Sequence, residues 1–303
     1  MPRVSLIMTV RNGERYLENA LSSLQSQSYS DIEIIVVNNG SVDSTAEILA
    51  GLHDPRLKII SVDPILNSTF ASGISRAFNA ADGEFVAVQD SDDFSDNSRI
   101  EKQVRYLDAH PRVGLVGSRF ECISELDEHL FFSKQIPQSA KLMQLYAEGN
   151  QLVHSTIMFR RKITTEFNGY NTDYEYACDY RLALDILCAG HLVSGINETL
   201  IKVRRHSDQE TARRDTATIR SQNSLSLLKY AQKLTFLSKT SLRKGRRQII
   251  KSKFQLILNL IHDGKKLDAL TLFRKTALKS PLYILIYALV RAIRGQLGDA
   301  PRP

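Results

Sequence analysis

Asp90, Asp92 and Asp93 place three carboxylates within four residues, directly after Phe85-Val86-Ala87-Val88-Gln89. That apolar run reads as a buried strand. Like charges at its end repel one another and each prefers solvent, so stability alone rarely explains such a cluster. A divalent cation held by Asp90 and Asp92 would relieve the conflict and keep open positions for the phosphate oxygens of a substrate. The competing reading is a solvated acidic turn ahead of the helix near Arg99. Position favours the cation, because open α/β sheets take their ligands at the carboxyl ends of strands.

The elements that must position this loop follow a regular rhythm. Val4–Val10, Ile32–Val37, Leu57–Val62 and Phe85–Val88 read as strands. Between them, Tyr16, Leu17, Ala20, Leu21 and Leu24 recur at helical spacing, Asp43 or Ser44 can cap a short helix, and Thr69–Ala81 forms another. Strand and helix in alternation mean a parallel sheet with right-handed crossovers, an α/β fold close to a Rossmann arrangement. The first strand's loop, Arg11-Asn12-Gly13-Glu14, has one glycine and is neither a dinucleotide fingerprint nor a P-loop. The second strand ends in Asn38-Asn39-Gly40-Ser41. These amides suit a nucleobase edge, or they simply form a turn. Beside an acidic loop at the same sheet edge, nucleotide binding is the better reading. Downstream, Arg99–His110 is an amphipathic helix, Val113–Ser118 and His154–Arg161 are strands, and residues 121–150 show no regular pattern.

Composition supports a globular body, with 43% hydrophobic and 24% charged residues. Cys122, Cys178 and Cys188 show no metal-ligand spacing, and an odd count suits a reducing compartment. Met1-Pro2-Arg3-Val4 enters a strand at once, without a signal-peptide pattern, and no apolar run reaches the ~20 residues that span a bilayer. The expectation is a cytoplasmic protein, free or peripheral on the cytoplasmic membrane face. The net charge of +7 hides a division: residues 216–303 hold 18 Lys/Arg and 3 Asp/Glu, or +15, while the rest hold 22 and 30, or −8. A boundary near residue 215 follows, between a body at 1–215 and a basic helical region at 216–303. Within the latter, the uncharged stretch Pro281–Val290 lies between Lys279 and Arg291. It suits a bilayer interface, or burial in a helical packing domain.

Three stretches together resemble family 2 glycosyltransferases of the GT-A fold: Val4–Asn12, Glu33–Thr45, and Gly83-Glu84-Phe85 leading into Asp90-Ser91-Asp92-Asp93. The resemblance spans roughly residues 3–210. It implies a mixed, mainly parallel central sheet and an inverting transferase using a nucleotide-diphosphate sugar with Mn²⁺ or Mg²⁺. It assigns the nucleotide to Thr9, Arg11, Asn38, Asn39, Asp90 and Ser91, and the metal to Asp90 and Asp92. Ile201-Lys202-Val203-Arg204-Arg205-His206 resembles the family's late Arg-x-His stretch, which adds His206 beside the diphosphate or metal. Arg204 and Arg205 are then candidates for phosphate pairing. This chain departs from the family's Asp-Asp-Gly-Ser at Asn38-Asn39 and from its frequent Tyr at Arg11. Asp179, in Tyr176-Ala177-Cys178-Asp179-Tyr180-Arg181, matches the family's general base, although Cys178 stands where a Glu is usual. The plain alternative for Asp179 is a helix cap. His154 either lies near the acceptor or is a structural histidine.

The expected activity is transfer of a sugar to a saccharide or lipid-linked saccharide acceptor in surface polysaccharide or glycolipid synthesis, with an anionic membrane surface as a further partner. A sugar-1-phosphate nucleotidyltransferase would share the core, but it should carry a Gly-rich basic first loop instead of Thr9-Val10-Arg11-Asn12-Gly13. A nucleic-acid binder would explain the basic tail but leave both acidic sites without a purpose.

Overall fold

The computed structural model describes residues 1–66, 69–209 and 215–277. Its contacts divide the chain into two compact units, Met1–Tyr146 with Asn150–Gln209, and Ala147–Gly149 with Glu210–Pro303. Pro281–Val290, singled out above, lies outside the described residues.

The first unit runs β1 (Val4–Val10), α1 (Leu17–Gln25), β2 (Ile32–Asn39), α2 (Thr45–Ala50), β3 (Leu57–Val62), α3 (Phe70–Asn79), β4 (Phe85–Val88), β5 (Phe94–Ser95) and α4 (Arg99–Ala109). It continues through β6 (Val113–Ile123), β7 (His129–Phe132), α5 (Ser139–Leu145), β8 (Met158–Arg160), α6 (Arg161–Thr165), α7 (Cys178–Cys188) and β9 (Leu192–Arg204). The strands form one mixed sheet in the order β3-β2-β1-β4-β8-β6-β9-β5, with β7 beside β6. The half from β3 to β4 is parallel. Beyond it β8 runs antiparallel to both neighbours, and β6 and β9 are parallel to each other.

Alternation sorts β1 between the two faces of the sheet. Val4, Leu6, Met8 and Val10 join Leu17, Leu21 and Leu24 of α1 and Ile100, Val104 and Leu107 of α4 in one buried cluster. The opposite face packs against α3, which touches β1 and β2. Here Gly73 permits the approach, since a Cβ there would lie 2.2 Å from Thr9 Oγ1 and 2.9 Å from Asn39 Cγ. The Thr69 side chain accepts a hydrogen bond from Ser72 N at 3.2 Å and caps α3. At α2 the cap is Asp43, whose Oδ1 accepts from Thr45 N at 3.1 Å, and Ser44 makes no side-chain cap.

Three expectations change. His154–Thr156 is a 3₁₀ turn, so the strand there is only Met158–Arg160. Residues 121–150 are more regular than their composition suggests, because β6 and β7 pair as a hairpin across Ser124–Glu128, followed by α5. β9 is one long strand, Leu192–Arg204, where the sequence shows no strand pattern. Its register on β6 shifts at Ser118/Arg119 and Arg119/Phe120, and such bulges scramble the period-2 signal.

The second unit carries α8 (Ala217–Ala231), α9 (Lys239–His262) and α10 (Lys266–Ala277), joined by a small core of Leu225, Leu256, Ile257, Leu260 and Ala269.

Thr69→Ala should cost about 1 kcal/mol through the lost cap of α3, read by chemical denaturation. No change would mean that another group takes up the Ser72 amide.

Candidate active site

Beneath the acidic loop lies a buried polar network. Arg99, on the first turn of α4, is 0% exposed. Its Nη2 donates to the Val88 carbonyl at 2.7 Å and the Ile157 carbonyl at 3.2 Å, Nη1 to Ser95 Oγ at 3.0 Å, and Nε to Gln103 Oε1 at 3.1 Å. Ser95 Oγ in turn donates to Gln89 Oε1. Gln89 Nε2 donates to Ala20 O, Ser23 Oγ and Asp93 O, tying the loop to α1. Burial pushes the Arg99 pKa down to about 9, against the pull of Asp93 and Asp90, so the group stays cationic at neutral pH.

Above this base the three carboxylates diverge. Asp90 is partly exposed, with Oδ1 3.5 Å from His154 Nδ1, and His154 Nε2 lies 2.9 Å from the Tyr170 hydroxyl. Burial disfavours a charged His154, yet its hydrogen bond to Asp90 and that residue's charge raise its pKa on balance. Asp92 Oδ2 accepts from His206 Nε2 and from Gln209 Nε2, each at 3.0 Å. These bonds outweigh desolvation and hold Asp92 below the usual carboxylate range. Asp93 points inward, and its Oδ1 accepts from Arg204 N at 3.0 Å. Burial, with repulsion from Asp92 and Asp90, pushes it well above that range.

The loops after β1 and β2 are stitched together. Asn12 N donates to Ser41 Oγ at 3.0 Å, Val42 N to Asn12 Oδ1 at 2.9 Å, Gly13 N to Thr45 Oγ1 at 2.8 Å, and Glu14 N to Asp43 Oδ2 at 3.1 Å. Asn38 Oδ1 accepts from Ser41 N at 3.2 Å and holds its own turn. Asn39 Nδ2 donates to the Thr69 carbonyl at 2.9 Å and fixes the start of α3. Thr9 Oγ1 is buried and has no hydrogen-bond partner. Arg11 is exposed. Ser91 adjoins the first loop, since a Cβ at Gly13 would lie 3.8 Å from its Oγ. Thr9, Arg11, Asn38, Asn39, Asp90 and Ser91 thus stand at neighbouring strand ends, as β1 pairs with both β2 and β4.

Asp179 lies on the first turn of α7, where its Oδ1 accepts from Tyr180 N and its Oδ2 from Asn150 Nδ2, both at 2.7 Å. Burial raises its pKa, His154 when protonated opposes that shift, and Asp90 adds to it. Asp179, His154 and Asp90 therefore share one electrostatic neighbourhood, with His206 on Asp92. Arg204 does not stand free for phosphate. Its Nε donates to the Asp92 carbonyl at 3.2 Å, Nη2 meets Asp127 at 2.7 Å, and the guanidinium lies 4.5 Å from the Tyr16 ring centroid.

Arg99, Gln89, Gln209, Asn150 and Tyr170 are site-shaping residues that sequence reading missed. Only Arg99 left a trace, as a charge on the face of α4 that carries Ile100 and Val104. Tyr16 was read as a helix position, yet its ring also lies 5.0 Å from that of His206.

The carboxylates of Asp90 and Asp92 suit a hard divalent cation, with His206 held beside them by the Nε2 hydrogen bond to Asp92, while its buried Nδ1, which has no hydrogen-bond partner, lies on the far side of the ring from that oxygen. Among the described residues no three His, Cys, Asp or Glu side chains converge into a complete metal cage. A site of one or two carboxylates completed by substrate phosphates matches this arrangement.

The Glycosyl transferase family 2 profile matches residues 5–167, and the chain belongs to that family. It is a glycosyltransferase. An uncharacterized glycosyltransferase of Haemophilus influenzae is 31% identical over 222 residues, 70% of this chain and 68% of the relative. The amylovoran biosynthesis glycosyltransferase AmsE of Erwinia amylovora is 30% identical over 235 residues, 76% of this chain and 87% of the relative. The mannosyltransferase PcManGT of Pyrobaculum calidifontis, solved with GDP-Man and Mn²⁺, superposes with a TM-score of 0.63 at 19% identity, covering 99% of this chain and 88% of that one. The fold is GT-A.

Asp93 gives a pH test. A carboxyl whose folded pKa is raised favours folding while protonated and penalises it once ionised. In chelator, Asp93→Asn and wild type should melt together near pH 4, and the variant should gain as pH rises from there through the folded pKa of Asp93. A melting-temperature gap that does not widen with pH would contradict the burial argument.

Proposed function

We propose that the protein is an inverting, metal-dependent glycosyltransferase that moves a sugar from a nucleotide-diphosphate donor to a saccharide or lipid-linked saccharide acceptor. The observation that carries this reading is the separation of two carboxylate sites within one electrostatic neighbourhood. Asp90 and Asp92 end β4, while Asp179 stands apart on α7 with its pKa raised by burial. A raised pKa makes a carboxylate a better proton acceptor than an ordinary aspartate.

In this reading Asp90 and Asp92, with His206 turning Nε2 from Asp92 to the ion, would hold Mn²⁺ or Mg²⁺, and the cation would supply positive charge to the departing diphosphate. Thr9, Arg11, Asn38, Asn39 and Ser91 position the nucleoside and its phosphates. Asp179 takes the proton from the acceptor hydroxyl as that oxygen bonds to the anomeric carbon. The bond from that carbon to the diphosphate breaks on the opposite face, its electron pair leaves with the nucleoside diphosphate, and the configuration inverts. Asn150 and the Tyr180 amide hold the Asp179 oxygens in place.

The role of AmsE in amylovoran biosynthesis supports an acceptor of surface polysaccharide or glycolipid type. Among the described residues no helix is long and apolar enough to cross a membrane. The charge division supports a catalytic body at residues 1–215 and a basic region at 216–303 that attaches electrostatically to an anionic leaflet on the cytoplasmic side.

A pair of variants tests the chemistry. Asp179→Asn keeps an oxygen for the Tyr180 amide but cannot take a proton, so donor binding should persist while turnover falls by ~10²–10⁴-fold. Turnover within a few-fold of wild type would reduce Asp179 to a cap. Asp92→Asn should lose metal-dependent donor binding as well, read by thermal shift with nucleotide sugars with and without Mn²⁺. Full activity of that variant would sink the metal assignment. The anomeric configuration of the product, read by NMR, separates inversion from retention.

A further inference from the structure

α10 is fixed by one face and bare on the other. Ala269 is buried in the core formed with Leu225, Leu256, Ile257 and Leu260, and Leu272 packs against that core. The bare side carries Leu267, Leu270 and Phe273, which are 77%, 45% and 39% exposed. Their spacing of three puts them along one ridge of the helix. Cations stand at both ends, Lys265 and Lys266 before the ridge and Arg274 and Lys275 after it, all exposed. The surroundings are mainly positive: residues 216–277 hold 14 Lys/Arg and 2 Asp/Glu, a net +12, with Asp268 the one acidic residue on α10.

An exposed apolar ridge needs an occupant, and the charge around it selects among candidates. A second copy of this chain would bring the same excess of positive charge, which repels. An anionic lipid surface meets both features, because leucine and phenylalanine side chains enter the boundary between headgroups and acyl chains while lysine and arginine stems reach back to the phosphates. We propose that Leu267, Leu270 and Phe273 of α10 insert into an anionic lipid interface, with Lys265, Lys266, Arg274 and Lys275 pairing with its headgroups. This rests on the membrane attachment proposed above and goes further, since it makes binding depend on apolar insertion at one helix as well as on charge. The sequence continues past α10 into the uncharged run Pro281–Val290, which lengthens the apolar part of the same region.

The chain contains no tryptophan, so Phe273→Trp in the full-length protein creates a single reporter on the ridge. The probes are vesicles of phosphatidylcholine alone and of phosphatidylcholine with phosphatidylglycerol in equal parts. In low salt the emission should be that of a solvent-exposed indole, and it should shift to shorter wavelength on the anionic vesicles only. Adding Leu270→Glu should abolish that shift and most co-sedimentation, with circular dichroism and donor-induced thermal shift unchanged. Co-sedimentation of the Phe273→Trp protein without a spectral shift would overturn insertion while leaving electrostatic attachment standing. Absence of co-sedimentation would overturn both. Emission already at short wavelength in buffer and insensitive to vesicles would also overturn the proposal, placing residues 278–303 or a second copy on the ridge.

Discussion

The site depends on how a guanidinium is accommodated in the core. Removing an arginine from water is tolerable only if its donors are met and its charge is answered. Arg99 satisfies the first condition with the Val88 and Ile157 carbonyls, Ser95 and Gln103. It satisfies the second with Asp93 and Asp90, whose charges favour its protonated form. The loop above it relies on other partners as well, since His206 and Gln209 hold Asp92 and the Arg204 amide meets Asp93. The Arg99 contacts join the ends of β4 and β5 to the segment entering β8, and they join all three to α4. One buried charge therefore sets the floor on which the loop chemistry stands.

The walls are built from weaker and more numerous bonds. Five hydrogen bonds between the loops after β1 and β2 join polar side chains to backbone amides. Each contributes on the order of 1 kcal/mol, and together they restrict two loops that would otherwise move independently. On the far side, Tyr170 and Asp90 hold His154 from two directions, with Phe70 of α3 edge-on to its ring. Each carboxylate of the candidate site thus has its own local support, and the supports differ in chemistry.

Much of the first half was legible because its information is local. β1 to β4 repeat apolar residues along short segments, and Asp43 is a recognisable cap residue beside its helix. The acidic loop stands out by composition alone. What could not be read depends on partners distant in sequence. Arg99 meets Ile157 across 58 positions, Gln103 meets Thr156 across 53, and Asn150 meets Asp179 across 29. No periodicity encodes such a pairing. The stretch from His154 to Arg161 misled for a different reason: Ile157 and Phe159 alternate as a strand would, but His154-Ser155-Thr156 turns to deliver His154 to Asp90. Arg204 was legible as a cation, but its use in bracing Asp92 and Asp127 depends on the β6–β7 hairpin, which has little regular pattern in sequence.

That hairpin divides the freedom of its residues. Asp127 adopts φ +65° and is clamped by Arg204, and Glu125 pairs with Arg15, whereas Leu126 between them and Leu130 and Phe132 on β7 face solvent. Drift at the outward positions leaves the brace on Asp92 intact, while loss of Asp127 removes the carboxylate that pairs with the Arg204 guanidinium. Descendants of this chain can therefore diversify the hairpin's outer surface while inheriting its anchor unchanged, so the turn behaves as an exchangeable module on a fixed hinge pin.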